Sequence, residues 1–154
     1  MCGIKTNILF VCMGNICRSP AAESFFRLAV EEVEIDNQFL IESAGTGGWH
    51  AGSQPDRRMK NAAKKQGLAI HGTARQITVK DLSTFDWIFC MDQDNFDDVI
   101  SMGGDPEKVK LLLPHVGITE LNEVPDPYYG GAEGFDNVIT IINDAVRRLA
   151  DMLG

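Results

Sequence analysis

One stretch organises the rest of the chain: Asn7-Ile8-Leu9-Phe10-Val11-Cys12-Met13-Gly14-Asn15-Ile16-Cys17-Arg18-Ser19-Pro20. The short apolar run 8–11 is typical of a strand that is buried on both faces. Gly14 and Asn15 are residue types that tolerate the unusual backbone angles of a tight loop. Ser19 followed by Pro20 predicts a helix N-terminus, with Ser19 as the cap and Pro20 in the first helical position. The stretch therefore predicts a buried strand, a tight loop and a helix start.

The predicted loop has the composition of an anion site that also carries a nucleophile. Backbone N–H groups of such a loop and the positive end of the helix macrodipole point to the same place. Arg18 can hold two phosphate oxygens with its planar guanidinium. Cys12 stands at the end of the strand, where Arg18, the helix N-terminus and the Ser19 hydroxyl favour a reactive thiolate. The alternative is an ordinary strand-to-helix turn in which Cys12 is a small buried hydrophobe.

Length and charge limit the classes of protein to which the chain can belong. With 154 residues it is expected to form one domain over residues 1–154. A net charge of −8 argues against a general nucleic-acid binder. The chain has no apolar run long enough for a membrane span, and residues 1–6 do not resemble a signal peptide. We therefore expect a cytoplasmic location.

The cysteines predict free thiols rather than a zinc site or a disulfide framework. The chain has 4 of them, and no two have the Cys-x2-Cys spacing of a zinc site. Cys12 and Cys17 flank one tight loop, so a reversible disulfide between them is sterically feasible and would cap the nucleophile. The alternative is that Cys17 is a loop residue packed under the helix.

Strands and helices alternate along the chain, which predicts an α/β fold with a parallel sheet and helices on both faces. Ligands of such sheets bind at the carboxyl ends of the strands. The Cys12 loop, the glycine-rich loop 42–48 and Asp92 all follow predicted strands and should meet at that edge. The predicted helices span about 19–33, 54–66, 93–101 and 137–153, and the later strands span 39–41, 86–91 and 109–113.

Three loop features have both a functional and an ordinary interpretation. Trp49 can form one wall of a substrate slot or can pack its loop onto the body of the protein. His71 is a lone histidine, which is more often structural than catalytic. Asp126 lies between two prolines and is followed by Tyr128 and Tyr129, which is a composition typical of a loop that faces substrate. The same residues also fit a plain Asp-Pro turn.

The motifs together resemble the low-molecular-weight protein tyrosine phosphatases. The resemblance covers essentially the whole chain, in the order of the family. By similarity the four parallel strands are expected in the order 2-1-3-4. The matching segments are Val11–Pro20, Ser43-Ala44-Gly45-Thr46, Trp49-His50, Pro55-Asp56, His71 with Arg75-Gln76, Met91-Asp92 with Asn95, and Asp126-Pro127-Tyr128-Tyr129-Gly130-Gly131.

The resemblance implies a role for each reactive side chain. Cys12 would attack phosphorus and form a phosphocysteine intermediate, while Arg18 would hold the equatorial oxygens. Asp126 would protonate the leaving phenolate and then act as base on the hydrolytic water. Ser19 would hydrogen-bond the Cys12 sulfur. The rest of the loop would contact the phosphoryl group through Met13, Gly14, Asn15, Ile16 and Cys17.

Other residues are implied as supports and as walls. Asn15 would hold the loop through Ser19, Ser43 and His71, with Glu23 as a neighbour of His71. Asp92 is expected at the same edge of the sheet, as the cap of the following helix. A flat aromatic ring would lie in a slot whose walls are Trp49, Tyr128 and Tyr129.

No metal or cofactor is implied, because the loop, the arginine and the thiolate supply the charge stabilisation. The expected partners are tyrosine-phosphorylated proteins, with phosphate or other oxyanions in the site. The chain is expected to be a monomer or a weak dimer.

Three alternative functions remain to be weighed. Protein arginine phosphatases of the same family carry Thr where Ile16 stands and lack the paired tyrosines. Arsenate reductases on the same fold need further cysteines on a mobile segment, whereas Cys90 lies in a predicted buried strand and Cys2 at the terminus. A silent phosphate-binding module would not need Cys12, Arg18 and Asp126 intact. The sequence therefore favours a protein tyrosine phosphatase.

Overall fold

A parallel sheet positions the site in this computed structural model, which describes residues 5–128 and 130–154. The helices and strands alternate as the sequence predicts. In chain order the elements are β1 (Thr6–Cys12), α1 (Arg18–Glu32), a 3-10 turn (Asp36–Gln38), β2 (Phe39–Gly45), α2 (Arg57–Lys65), α3 (Val79–Thr84), β3 (Trp87–Cys90), α4 (Gln93–Ser101), β4 (Val109–Leu111), α5 (Leu112–His115) and α6 (Ala132–Leu153).

The strand order 2-1-3-4 is confirmed, and every pairing is parallel. β1 lies in the centre and is paired with β2 over its full length, from Thr6 opposite Phe39 to Cys12 opposite Gly45. Because all strands run the same way, their carboxyl ends share one edge. The loop after Cys12 starts from the middle of that edge.

Alternate residues of the strands enter two separate cores, one on each face of the sheet. Ile8 and Phe10 pack with α1, α2 and α6, whereas Leu9 and Val11 pack with Phe85 of the α3–β3 turn and with α4. This period of two is what a strand with both faces covered requires. The expected helices on both faces are therefore confirmed.

The predicted capping of the first helix is wrong. α1 begins at Arg18, Cys17 occupies the N-cap position, and no side chain caps the helix there. Ser19 lies inside the first turn and its hydroxyl contacts Cys12 and Asn15 instead. A capping side chain would occupy N–H groups of the first turn, which are the groups that an anion site uses.

Several predicted boundaries also shift. β2 continues to Gly45, so Ser43 lies in the strand rather than in the following loop. β4 ends at Leu111, and the short helix α5 follows it with Pro114 inside. α3 has no predicted counterpart, and α6 starts five residues earlier than the periodicity indicates, at Ala132. The expected cap of α4 by Asp92 is confirmed, since its carboxylate accepts the N–H of Asn95.

Across the two ranges that the structure describes, no helix has the length and apolar character needed to cross a bilayer.

One buried carboxylate links α3 to the segment that supports the Cys12 loop. Asp81 is 8% exposed and accepts the backbone N–H of Thr78 at 2.8 Å in a capping box. It also accepts both terminal nitrogens of Arg75, at 2.8 and 3.2 Å. Burial alone would raise the pKa of Asp81, but the hydrogen bonds from Arg75 and Thr78 outweigh it and lower the pKa below its usual range.

Asp81→Asn should reduce the free energy of unfolding at about pH 7 by about 1–3 kcal/mol, since it removes a charge-assisted pair and part of the cap. A carboxylate with a lowered pKa stabilises the fold above its unfolded pKa of about 4, and this contribution is lost as the pH falls. The difference between wild type and variant should therefore shrink below about pH 4. Urea unfolding at several pH values measures it, with Asp151→Asn on exposed α6 as the control. A difference that does not depend on pH would contradict the role of the charge.

Candidate active site

The loop between β1 and α1 is held from outside through its carbonyl groups. Thr46 and Gly47 donate their N–H groups to the carbonyls of Cys12 and Met13, both at 2.9 Å. Asp56 donates its N–H to the Ile16 carbonyl at 2.7 Å. The loop is thus fixed between the turn after β2 and the start of α2.

The N–H groups of the same loop are left available. Within the residues that the structure describes, the backbone N–H groups of residues 13–17 donate to no protein acceptor. They precede the first turn of α1, whose positive dipole end adds to their field. A run of unused donors beside a helix N-terminus is what binds an oxyanion.

Asn15 makes this loop shape possible. Its φ is 56°, in the left-handed region that few residues other than glycine and asparagine adopt. Its side-chain amide donates to the hydroxyls of Ser19 at 2.7 Å and Ser43 at 3.0 Å, and its carbonyl accepts the backbone N–H of Arg75 at 2.9 Å. The amide therefore joins the loop to α1, β2 and the segment before α3.

Gly45 lets β2 approach the loop closely. A Cβ atom at this position would lie 2.7 Å from the Met13 carbonyl oxygen and 3.0 Å from the Asn15 nitrogen. Neither neighbour is a flexible side chain that could move away. The glycine is thus required by the close contact between two backbones.

The sulfur of Cys12 lies 3.1 Å from the hydroxyl oxygen of Ser19. An Asn NH₂ group can only donate, so the Ser19 oxygen acts as acceptor towards Asn15. The hydroxyl proton of Ser19 is then free to point at the sulfur, or at the Ala44 carbonyl 3.4 Å away. The site thus has a hydrogen-bond donor in place for a Cys12 thiolate.

Arg18 is a buried cation, with only 2% of its side chain exposed. Its Nη1 donates to Asp92 Oδ2 at 2.6 Å and to the Val124 carbonyl at 3.0 Å, while Nη2 lies 3.5 Å from Asp126 Oδ2. Burial alone would lower the pKa of Arg18, but the nearby Cys12 and the hydrogen bond to Asp92 raise it above its usual value. The guanidinium therefore stays charged and correctly oriented.

Asp126 reaches the site from the segment before α6. Its Oδ1 accepts the backbone N–H of Tyr128 at 3.0 Å, which is the local turn expected of an aspartate between prolines. Its Oδ2 is the oxygen nearer Arg18. Oδ1 of Asp126 is thus held by its own turn, whereas Oδ2 is directed towards Arg18.

These groups line one cavity of about 340 Å³. Cys12 and Arg18 lie among its lining residues, together with Asp126 and Tyr128. Trp49 also lines the cavity and is 73% exposed, so it stands at the rim rather than in the core. The remaining lining residues are Met13, Gly14, Ile16, Cys17 and His50. The predicted wall residue Tyr129 lies outside the described residues.

The predicted supporting residues lie behind the loop. Glu23 accepts the Ser43 hydroxyl at 2.6 Å, which continues the chain of hydrogen bonds from Asn15. His71 borders a small cavity of about 20 Å³ with Glu23 and Ser43, which is about the space of one water molecule. The expected hydrogen bond between Asn15 and His71 is not formed in the described part of the chain: the Asn15 NH₂ group donates to Ser19 and Ser43, and its carbonyl accepts from Arg75. His71 is exposed.

The other cysteines in the described chain differ from Cys12 in their surroundings. Cys17 lines the cavity too, but burial, followed by the negative charges of Asp56 and Asp126, raises the pKa of its thiol far above the usual value. Burial also raises the pKa of Cys90, which lies in β3. Both thiols therefore stay protonated near neutral pH. All three cysteines of residues 5–128 are free, and the disulfide between Cys12 and Cys17 stays a prediction.

Two residues of the site region were not predicted. His50 covers the loop so closely that a Cβ on Gly14 would lie 2.9 Å from its Cδ2. Arg58 packs its guanidinium between the rings of Tyr128 and Phe135, at 5.1 and 4.5 Å from their centres, and bonds Asp56. The only available signal for His50 was its place next to Trp49. Nothing in the sequence connects Arg58 with Tyr128, which is 70 residues away.

Metal-binding side chains do not cluster in the site. Among residues 5–128 and 130–154, no group of three or more His, Cys, Asp or Glu side chains is placed to hold a metal ion.

Comparison with known proteins gives consistent results. The family described as low molecular weight phosphotyrosine protein phosphatase matches residues 7–154. The chain is 38% identical to the low molecular weight protein-tyrosine-phosphatase YfkJ of Bacillus subtilis over 93% of this chain and 92% of that one. It superposes on a protein tyrosine phosphatase of Entamoeba histolytica with a TM-score of 0.92 and 36% identity, over 97% of both chains. A Drosophila arginine phosphatase is also similar, with a TM-score of 0.87 and 31% identity over 95% of this chain and 96% of that one.

Substitutions at Asn15 separate its backbone role from its side-chain role. Asn15→Gly keeps the left-handed backbone accessible but removes the hydrogen bonds to Ser19, Ser43 and Arg75. Asn15→Ala removes them too and adds backbone strain, so its free energy of unfolding should be about 1 kcal/mol lower than that of the glycine variant.

Both variants should bind inorganic phosphate about tenfold more weakly than wild type, because the loop is no longer held in one shape. Urea unfolding and calorimetric titration measure the two effects. An alanine variant as stable as the glycine variant would show that the positive φ is not a constraint.

Proposed function

Because the chain belongs to the low molecular weight phosphotyrosine protein phosphatase family, we propose that it hydrolyses phosphotyrosine through a phosphocysteine intermediate on Cys12. The observation that carries the proposal is one cavity lined by Cys12, Arg18 and Asp126 together. Membership of this family makes the protein a phosphatase. The phosphocysteine intermediate and the roles of Cys12, Arg18 and Asp126 are what we propose. The expected cytoplasmic location stays a prediction.

In the first step the thiolate of Cys12 attacks phosphorus. An S–P bond forms as the bond between phosphorus and the tyrosine oxygen breaks. The carboxylic acid of Asp126 gives its proton to that oxygen, so tyrosine leaves neutral. The approach of Asp126 Oδ2 to Arg18, at 3.5 Å, supports this role, since the same guanidinium would hold the phosphoryl oxygens.

In the second step water attacks the phosphocysteine. The Asp126 carboxylate takes a proton from the water, the new O–P bond forms and the S–P bond breaks. Inorganic phosphate is released and Cys12 leaves as a thiolate. The Ser19 hydroxyl, 3.1 Å from the sulfur, is placed to donate a hydrogen bond to the departing thiolate.

Charge on the transferring phosphoryl group is balanced by fixed donors. The free N–H groups of residues 13–17 and the buried guanidinium of Arg18 surround the position above Cys12. Such donors are already oriented before the reaction, so little reorganisation is needed in the transition state. This arrangement supplies the stabilisation without a cofactor.

The lining of the cavity favours an aromatic ester. Ile16 contributes an apolar side chain to the lining, and Trp49 and Tyr128 contribute aromatic rings. Flat apolar groups prefer such surroundings. Phosphoarginine is the alternative substrate, because a Drosophila arginine phosphatase has a similar structure. The rates on the two substrates are therefore to be compared directly.

Purified protein should hydrolyse phosphotyrosine and small aryl phosphates at about pH 5–6 with a chelator present. Cys12→Ser should lower kcat by more than about 10³-fold, because a serine hydroxyl is a far weaker nucleophile in a site built for a thiolate. Cys90→Ser, at a buried cysteine outside the cavity, is the control. Initial rates on phosphotyrosine, phosphoarginine and arsenate are compared side by side. Activity that survives in Cys12→Ser, or a preference for phosphoarginine or arsenate, would refute the proposal.

Asp126→Ala should affect substrates according to their leaving groups. Hydrolysis of phenyl phosphate, whose leaving group needs a proton, should slow by about 10²–10⁴-fold. Hydrolysis of an ester with a strongly activated leaving group should slow much less. Steady-state kinetics over a series of substituted phenyl phosphates measures the dependence, with Glu133→Gln as a nearby acidic control. An equal loss on all esters would exclude Asp126 as the general acid.

A further inference from the structure

Helix α2 concentrates positive charge in an acidic protein. Its nine residues, RRMKNAAKK, include five of the 14 Lys and Arg residues and none of the 22 Asp and Glu residues. The whole chain nevertheless has a net charge of −8. The charge of α2 is therefore opposite in sign to the net charge of the chain.

The charges of α2 lie on its solvent side. Met59, Ala62 and Ala63 are buried, and they attach the helix to the core. Arg57 and Lys64 are exposed, and Lys60 is partly exposed between them. Residues spaced by three and four share one side of a helix, so these three cations form a row about 10 Å long. We refer to Arg57, Lys60 and Lys64 as the basic row.

Most cations of α2 have a structural explanation. Arg58 bonds Asp56, Lys60 donates to Gln54 at 2.6 Å, and Lys65 pairs with Asp136 at 3.0 Å. Lys64 and Lys65 lie in the last turn, where the macrodipole favours positive charge.

Arg57 has no such explanation. It is the first residue of α2, where the positive end of the macrodipole disfavours a cation. No hydrogen bond or ion pair connects its side chain to any residue in the described part of the chain. The charge of Arg57 therefore contributes nothing to the folding of the helix. It is available to bind an anion from outside the protein.

The basic row starts at the wall of the active-site cavity. The N–H of Asp56, one residue before α2, bonds the carbonyl of the lining residue Ile16. The guanidinium of Arg58 packs on the ring of Tyr128, which also lines the cavity. A polypeptide that leaves the cavity past Tyr128 would reach the N-terminal end of α2, where Arg57 follows Asp56, and could continue along the helix.

We propose that the basic row binds an acidic segment of the phosphorylated protein substrate, next to the phosphotyrosine. The proposal rests on the proposed function, because it places the phosphotyrosine side chain in the cavity. Glutamates or aspartates within about five residues of the phosphotyrosine can span the row, since an extended chain advances about 3.3 Å per residue. In a chain whose net charge is −8, one local row of cations also fixes the direction in which an acidic substrate lies.

A substrate segment fits the row better than an anionic membrane does. Attachment to a lipid surface uses a broad cluster of cations, and the rest of this chain is strongly negative. The row is narrow and lies beside the cavity that would hold the reacting group. Binding to vesicles is therefore kept as an outcome of the test.

The test compares three phosphotyrosine peptides of equal length. One carries glutamates before the phosphotyrosine, one carries them after it, and one carries glutamines on both sides. For wild type, kcat/KM for one or both acidic peptides should exceed that for the neutral peptide by about 3- to 10-fold at low salt. The preference should disappear at about 0.5 M salt, because exposed charges are then screened.

Variants of the row identify its part in the preference. Arg57→Gln combined with Lys64→Gln should bring the ratio of acidic to neutral peptide close to one, mainly by raising KM for the acidic peptide. Arg57→Glu with Lys64→Glu should reverse the ratio. Lys5→Gln with Lys80→Gln removes the same charge from exposed sites elsewhere and should leave the ratio as in wild type. Thermal unfolding of Arg57→Gln should show no loss of stability, since the first-turn cation opposes the dipole.

The outcomes separate the two proposals. If wild type hydrolyses none of the peptides, the proposed function fails and the docking of a substrate segment fails with it. If it hydrolyses all three equally, or if the preference persists in Arg57→Gln/Lys64→Gln, only the role of the basic row is refuted. Binding of wild type to phosphatidylserine vesicles that the double variant loses, without any peptide preference, would assign the row to a membrane and overturn the proposal.

Discussion

The buried guanidinium of Arg18 is the constraint on which the arrangement of the site depends. A cation that is 2% exposed is tolerated only when its donors are satisfied, and two separate segments supply three acceptors. Asp92 comes from the end of β3, the Val124 carbonyl from the segment before α6, and Asp126 from two residues further on. The single charge of Arg18 thus brings together the carboxyl edge of the sheet and the segment 124–126. Cys12 lines the same cavity.

The composition of the loop between β1 and α1 could be interpreted from the sequence, because local chemistry determines it. Three features can be interpreted from neighbouring residues alone. They are the apolar run before Cys12, the tolerance of Asn15 for a positive φ, and the arginine six residues after the cysteine. Alternation of strands and helices predicted a parallel sheet, and the strand order came from the resemblance alone. The Ser19 cap was predicted by the same local rules and was wrong, because the hydroxyl serves Cys12 and Asn15 instead.

The contacts behind the loop could not be predicted from local chemistry, because the partners are distant in sequence, and the contact of Asn15 with Ser43 was implied only by the resemblance. Asn15 meets Ser43 and Arg75, which are 28 and 60 residues away, and Arg58 meets Tyr128. Hydrogen-bond capacity indicates that Asn15 needs partners when buried, but it does not say which ones. His71 shows the difference: the resemblance implied it as a partner of Asn15, whereas the partner that the Asn15 carbonyl has is the backbone N–H of Arg75.

The choice between the two cysteines of the loop follows from their electrostatic surroundings. Both Cys12 and Cys17 line the cavity, and both lie close to the start of α1. The pKa of the Cys17 thiol, however, is raised by burial first and then by the nearby Asp56, Cys12 and Asp126, which keeps this thiol protonated. Cys12 has the Ser19 hydroxyl at 3.1 Å and lines the same cavity as the buried Arg18. The two cysteines, five residues apart, thus have different neighbours, acids beside Cys17 and a hydroxyl beside Cys12, which is the geometric reason for proposing Cys12 as the nucleophile.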